Sequence, residues 1–291
     1  MLIWPDCIHC MFKMSLSTAR LITKDKDQIR ELSEQILKLK AFQGKQWNIT
    51  SPEVISDIWR LISKMSEGND PLKNVKKGQN DIVLEAYPYV KKSVSESDDP
   101  LLEALKFSIA GNSIDIMSTG AKDPQKELVE KLHKLELNPG NIEGFKERLS
   151  KAKKLVYIGD NCGEIVFDRL FIETIKEYYD IDVTHVTRKI PVLNDAILSD
   201  AVYVGMDKVT RVIDNGIQEP LPGTMLKKIS PEFKKLIDAA DLIISKGGGN
   251  YDSLTEENSL KGKISFLFQA KCEPYTTSYK VALGSLLVDN H

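Results

Sequence analysis

Apolar positions recur along this chain in two rhythms. Up to about residue 125 they follow the spacing of amphipathic helices, whereas from about residue 153 short apolar runs suited to buried strands alternate with helical patterns. Such alternation predicts an α/β fold with a doubly wound, mainly parallel sheet and a helical N-terminal region. The expected division is a helical region over residues 1–125, packed on an α/β metal- and phosphate-binding domain over residues 126–291. In the first part, Gly68-Asn69-Asp70-Pro71, Lys77-Gly78-Gln79-Asn80 and Asp98-Asp99-Pro100 read as punctuation. The last places an acidic cap and a first-turn proline before a helix with Leu101, Leu102, Leu105 and Ile109 on its apolar side. In the second part, strands are expected over residues 155–158, 182–188, 242–245 and 264–268.

The exits of these four strands carry the candidate chemistry. The first runs into Gly159-Asp160-Asn161-Cys162-Gly163-Glu164, followed by Ile165, Val166, Phe167, Leu170, Phe171 and Ile175 at helical spacing. In an open α/β sheet, ligands bind in the crevice beyond the carboxyl ends of the strands, so Asp160 and Asn161 are expected to project there. The second exit passes through Pro191 to Leu193-Asn194-Asp195-Ala196, a second carboxylate just beyond a strand. The third is Lys246-Gly247-Gly248-Gly249-Asn250, whose glycines permit close approach of backbone N–H groups to an anion. The fourth is Ala270-Lys271-Cys272. Each is ordinary turn chemistry when taken alone. If the strands are parallel, one sheet edge gathers Asp160, Asn161, Asp195, Asn250 and Lys271. Two carboxylates and an amide suit an oxygen-preferring divalent cation, where zinc more often takes clustered His and Cys. The glycine run and a lysine add phosphate-binding equipment.

Composition narrows the partners. The chain of 291 residues balances 40 basic against 42 acidic side chains, a formal charge of -2, so no bulk field draws nucleic acid or an anionic membrane. No apolar run approaches the roughly 20 residues that span a bilayer. The opening Met1-Leu2-Ile3-Trp4 is interrupted by Pro5, Asp6 and His9, unlike a signal peptide's apolar core. A cytoplasmic protein acting on a small phosphorylated metabolite is expected; the oligomeric state is not indicated. Four cysteines are too few for a disulfide scaffold. Cys162 and Cys272, each beside a proposed site residue, read as small apolar packers. Cys7-Ile8-His9-Cys10 is a C-x-x-C pair without a second pair, open between a structural role near the site and a half-site completed from elsewhere. Asn112 and Asp115, three apart after Gly111, either share a helical face or follow a glycine stop as solvated polar residues.

Several motifs in one order give the chain a resemblance to a known family. They are Asp6-Cys7-Ile8-His9-Cys10, Asp99-Pro100-Leu101 running to Ala110-Gly111-Asn112-Ser113-Ile114-Asp115, Gly159-Asp160-Asn161 with Gly163-Glu164, Leu193-Asn194-Asp195-Ala196, Ser245-Lys246-Gly247-Gly248-Gly249-Asn250-Tyr251, and Lys271-Cys272. Together they resemble the damage-control phosphatases, the ARMT-like family formerly catalogued as domain of unknown function 89, and its short archaeal-type branch most. The resemblance implies a metal held by Asp160, Asn161 and Asp195, with Lys271 meeting the substrate phosphate and Asn112 and Asp115 brought against the site. Family members usually carry Glu after the Gly-x-Gly-Asn-aromatic run, where this chain has Asp252, a shorter acid with less reach.

The expected activity is metal-dependent hydrolysis of small phosphomonoesters, sugar phosphates or damaged phosphometabolites, using Mn, Mg, Co or Ni. Asp160, Asn161, Asp195 and Lys271 form the catalytic set, and Lys246, Gly247, Gly249 and Asn250 orient the phosphoryl group with Glu164 as base or supporting partner. The nucleophile is either metal-activated water, which is preferred, or Asp160. One rival is an S-adenosylmethionine-dependent methyltransferase, against which the acidic start of the 159–163 turn argues. The other is a non-catalytic, metal-dependent binding protein for a phosphometabolite.

Overall fold

A computed structural model describes residues 1–111, 124–137 and 141–291, and side chains within those spans except 124–127. Helices α1 (Pro5–Ile22), α2 (Lys26–Leu37), α3 (Ser51–Met65), α4 (Lys73–Ser95), α5 (Pro100–Ala110), α6 (Pro124–His133) and α7 (Ile142–Lys151) precede the first strand. Then follow β1 (Lys154–Ile158), α8 (Glu164–Tyr178), β2 (Asp182–Thr187), α9 (Leu198–Tyr203), β3 (Arg211–Asp214), α10 (Pro231–Ala239), β4 (Leu242–Lys246), α11 (Gly247–Leu254), β5 (Ile264–Gln269), α12 (Glu273–Tyr279) and β6 (Leu286–Asn290). No helix among the described residues is long and apolar enough to cross a membrane.

The sheet order is β3-β2-β1-β4-β5-β6. Strands β1 to β5 pair in parallel and β6 closes the edge antiparallel to β5. The order reverses at β1 and β4, which puts their exits on either side of the switch-point crevice. Both faces are covered, as a parallel sheet requires. Leu155 and Tyr157 of β1, with Leu242 and Ile244 of β4, pack under α5 and α8, while Val156, Ile158 and Ile243 face Phe233 and Ile237 of α10 and Leu254 of α11. A third cluster joins α1, α2 and α3 through Met11, Ile36, Ile58 and Trp59.

Local signals explain several of the helix starts. The Asp99 carboxylate accepts from Leu102 N at 3.0 Å, so the acidic cap and Pro100 open α5 as the sequence predicts. Thr50 and Glu53 form a capping pair ahead of α3, Glu53 accepting from Thr50 N at 3.0 Å. The Lys77-Gly78-Gln79-Asn80 stretch is not punctuation: it lies inside α4. Val83, Ala86, Val90 and Val94 are buried at helical spacing there, and that burial outweighs the roughly 1 kcal/mol that Gly78 costs a helix.

His185 on β2 gives the fold a pH dependence of known sign. The imidazole is fully buried, stacks on Tyr157 at 5.6 Å between centroids, and neither ring nitrogen has a hydrogen-bond partner. Burial lowers its pKa to about 4; Asp168 opposes the shift and Lys246 adds to it. The folded pKa lies below the unfolded one, so the unfolded chain takes up the proton first. The stability present above pH 6.5 is therefore lost as pH falls toward 4, by about 1–3 kcal/mol. Urea unfolding of the parent and His185→Phe at pH 7 and pH 4.5 checks this, with carboxylate contributions common to both cancelling. The parent is expected to lose more stability than the variant, and equal losses would refute the assignment.

Candidate active site

The site is built where the β1 exit meets the segment after β2. Gly159 N continues the ladder to Val186 O at 3.0 Å, Ala196 N donates to Asp160 O at 2.7 Å, and Cys162 N donates to Asn194 O at 2.9 Å. These bonds, with an antiparallel bridge between Asn161 and Asp195, set Asp160, Asn161 and Asp195 side by side. Leu193 accommodates the turn with φ 47°, a left-handed conformation that costs an L residue of this kind roughly 1–2 kcal/mol.

A cavity of about 250 Å³ opens here, with Asp160, Asn161, Asp195, Gly248, Gly249 and Lys271 on its wall and Ser51, Pro52, Ile55, Asp252 and Tyr275 at the side supplied by α3, α11 and α12. Both aspartates are buried. Burial, and then the charge of Asp195, push the Asp160 carboxyl up to about 7, against the pull of Arg188, Lys271 and Lys246. Burial also raises Asp195, with Arg188 opposing. At both carboxyls the loss of water thus outweighs the pull of the nearby cations. Asn161 Nδ2 donates to Asp160 Oδ2 at 2.7 Å, which leaves the amide oxygen as the donor atom Asn161 can offer to the cavity. Among the described residues no three His, Cys, Asp or Glu side chains gather as a ligand set, so the available donors are these two carboxylates and one amide.

Lys271 follows β5. The residue remains open to solvent, yet the crowded crevice walls lower its pKa while Glu164 and Asp160 pull it upward. Lys246 has a different position from the one its sequence suggests. It is fully buried, absent from the cavity wall, and donates to Asp168 Oδ1 at 2.6 Å, to Ser108 O at 2.9 Å and to Glu164. Burial alone would lower its pKa, but Asp168 and Glu164 outweigh that and keep it charged. Glu164 is likewise buried, and burial lifts its carboxyl to about 7 against the pull of Lys246.

The glycine run is the first turn of α11 rather than a loop. Gly247 sits at φ 79°, and a Cβ there would lie 2.0 Å from Asp160 Oδ2, so the glycine is required by the closeness of backbone to carboxylate. Asn250 accepts from Arg188 and Thr224 and donates to Gly159 O and Lys246 O, which ties the β4 exit to the β1 exit. Asp252 accepts from Ser51 Oγ at 2.6 Å and Tyr275 OH at 3.0 Å. Asn112 and Asp115 lie outside the described residues.

Sequence reasoning missed four contributors. Arg188, the residue after β2, is buried against both aspartates. Its signal was a charge closing an otherwise β-rich run. Asn80 of α4 accepts from Gly163 N at 2.7 Å, and Lys76 of the same helix is buried between Asp70 and Asp200 at 3.0 Å each, so α4 ties the β1 exit to the start of α9. Ser51 reaches the wall from the helical region, a contact that no local pattern announces.

The geometry can be set beside known proteins. The model of the family described as "Damage-control phosphatase ARMT1-like domain" matches residues 3–287. The chain belongs to this family. A damage-control phosphatase of Archaeoglobus fulgidus is 32% identical over 290 residues, covering 99% of this chain and 98% of the relative. A damage-control phosphatase of Pyrococcus horikoshii is 30% identical over 284 residues, covering 97% and 96%. An uncharacterised protein of Methanocaldococcus jannaschii is 35% identical over 287 residues, covering 96% and 92%. The crystal structure of a duf89 family protein from Pyrococcus horikoshii superposes with TM-score 0.89 at 30% identity, each chain fully covered. Membership of the damage-control phosphatase family supports hydrolysis of phosphorylated compounds, and the neighbour shares the mostly parallel α/β architecture.

Proposed function

We propose that the protein is a divalent-metal-dependent phosphatase of small phosphomonoesters, with sugar phosphates or damaged phosphometabolites as substrates. The observation that carries this reading is the meeting of Asp160, Asn161, Asp195 and Lys271 in one 250 Å³ cavity. The donor set fits a hard ion. Two buried, mutually repelling carboxylates and an amide oxygen suit Mn, Mg, Co or Ni, with Asp160, Asp195 and Asn161 as the holding residues. When bound, such an ion supplies polarisation of a phosphoryl oxygen and a lowered pKa for water.

The chain's own groups do the rest. Lys271 neutralises a phosphate oxygen, and the first turn of α11, through Gly248 and Gly249 on the wall, offers backbone amides at a helix N-terminus. Lys246 serves from below by holding Glu164 and Asp168 in place. Water is favoured as nucleophile over Asp160, because Asp160 Oδ2 accepts from Asn161 while Oδ1 faces Arg188 at 3.4 Å. Ser51, Asp252 and Tyr275 line the side available to the alcohol portion, and the small volume suits a compact metabolite in the cytoplasm.

The test is release of inorganic phosphate from a panel of sugar phosphates and p-nitrophenyl phosphate by the purified protein supplied with each of the four ions. Turnover of at least one compound is expected. Saturable binding without phosphate release would make it a binding protein, and tight metal-independent binding of S-adenosylmethionine by calorimetry would make it a methyltransferase.

A further inference from the structure

Arg188 touches both carboxylates of the site and yet forms no part of the cavity wall. Its guanidinium makes Nε to Asp195 Oδ2 at 2.6 Å and Nη2 to Asp160 Oδ1 at 3.4 Å. Nη1 donates to Asn250 Oδ1 at 2.9 Å, Gly223 O at 3.2 Å and Thr224 Oγ1 at 3.4 Å. The side chain is 2% exposed. One planar group therefore binds the exits of β1, β2 and β4, and only a fork of fixed geometry can do so; an ammonium on a flexible stem reaches one or two such partners.

We propose that Arg188 is the positioning residue for the ion site: it engages one oxygen of each carboxylate from the buried side and so fixes how the pair is presented to a divalent cation. The inference rests on the metal-dependent reading above. Charge counting agrees with the geometry. Asp160, Asp195, Glu164 and Asp168 set against Arg188, Lys246 and Lys271 leave a local charge near -1, enough to attract a divalent ion, whereas a bare pair of buried carboxylates would repel each other out of register. The ion then leaves the cluster net positive for an incoming phosphate. The anchoring of Nη1 by Thr224 and Asn250 keeps the guanidinium from swinging into the cavity and taking the ion's place.

The experiment is calorimetric titration of metal-stripped protein with MnCl2, alongside thermal unfolding. Arg188→Lys keeps the charge and removes the fork, so manganese affinity is expected to fall about 10–100-fold, the range for losing a group that orients a metal ligand. In an Asp195→Asn background the same substitution should cost less affinity than in the parent, because one of the two carboxylates that Arg188 presents has already lost the charge that holds the ion. Thr224→Val supplies a second route if Arg188→Lys does not fold: both carboxylates and Arg188 stay, the anchor is weakened, and affinity should fall several-fold. Unchanged manganese affinity in a folded Arg188→Lys, or in Thr224→Val where only that variant folds, overturns the proposal and leaves the phosphatase reading intact. Losses fully additive with Asp195→Asn also overturn it, since they mark general damage to the fold. A parent protein that binds no divalent ion overturns the metal-dependent reading itself, and this inference with it.

Discussion

Chelation of divalent ions with EDTA is expected to abolish phosphate release, and readdition of manganese or magnesium to restore it. Asp195→Asn should reproduce most of that loss in the metal-loaded protein, roughly a hundredfold or more in turnover. Asparagine is the informative substitution. The Asp195 carboxylate is held by Arg188 at 2.6 Å, both groups being 2% exposed, so Asp195→Ala would strand a buried cation at about 3–5 kcal/mol. The sequence alone presents Asp195 as a strand-exit residue whose truncation spares folding; the ion pair shows that alanine would confound fold with function. The amide retains an acceptor for Arg188 while removing the charge an ion requires. Full turnover after chelation would refute metal dependence, and near-normal turnover of Asp195→Asn would reduce this residue to a partner of Arg188.

The parts of the fold that were legible are those whose burial is continuous along the chain. β1, β4 and β5 are mostly apolar runs and β2 is a buried run rich in Val and Thr, and the patterns over residues 155–158, 182–188, 242–245 and 264–268 find them. β3 escapes because it is a four-residue edge strand with Arg211 and Asp214 at its ends and no fully buried position. β6 escapes because it is antiparallel and ends in half-buried Asp289 and Asn290. At the site, acids and amides just after strands were visible, since the topology of a parallel sheet dictates where such residues go. What connects them was not. The bridge between Asn161 and Asp195, the reach of Arg188 across three exits, and the burial of Lys246 beneath the crevice depend on contacts between residues 7 to 138 positions apart. Lys246 shows the limit best: a lysine before three glycines looks like a phosphate ligand, and its partners prove to be Glu164 and Asp168.

Lys271→Ala is expected to retain its metal and still lose about 2–4 kcal/mol of transition-state stabilisation, the scale for deleting one preorganised electrostatic partner. The two lysines of the site divide the work. Lys246 is fully buried and bound to carboxylates, so its charge serves the scaffold, while Lys271 stands on the cavity wall with solvent access and its charge faces Asp160 and Glu164. On the proposed reading a cation so placed serves a phosphate oxygen and is not needed to hold a divalent ion, which its charge would oppose. Metal content by elemental analysis should therefore match the parent or exceed it, while kcat/KM falls by roughly thirty- to a thousandfold. Both quantities are measured on one preparation. Unchanged kinetics would make Lys271 a solvated charge at the end of β5, and loss of the metal would mean that its removal had disturbed the carboxylate pair rather than the contact with substrate.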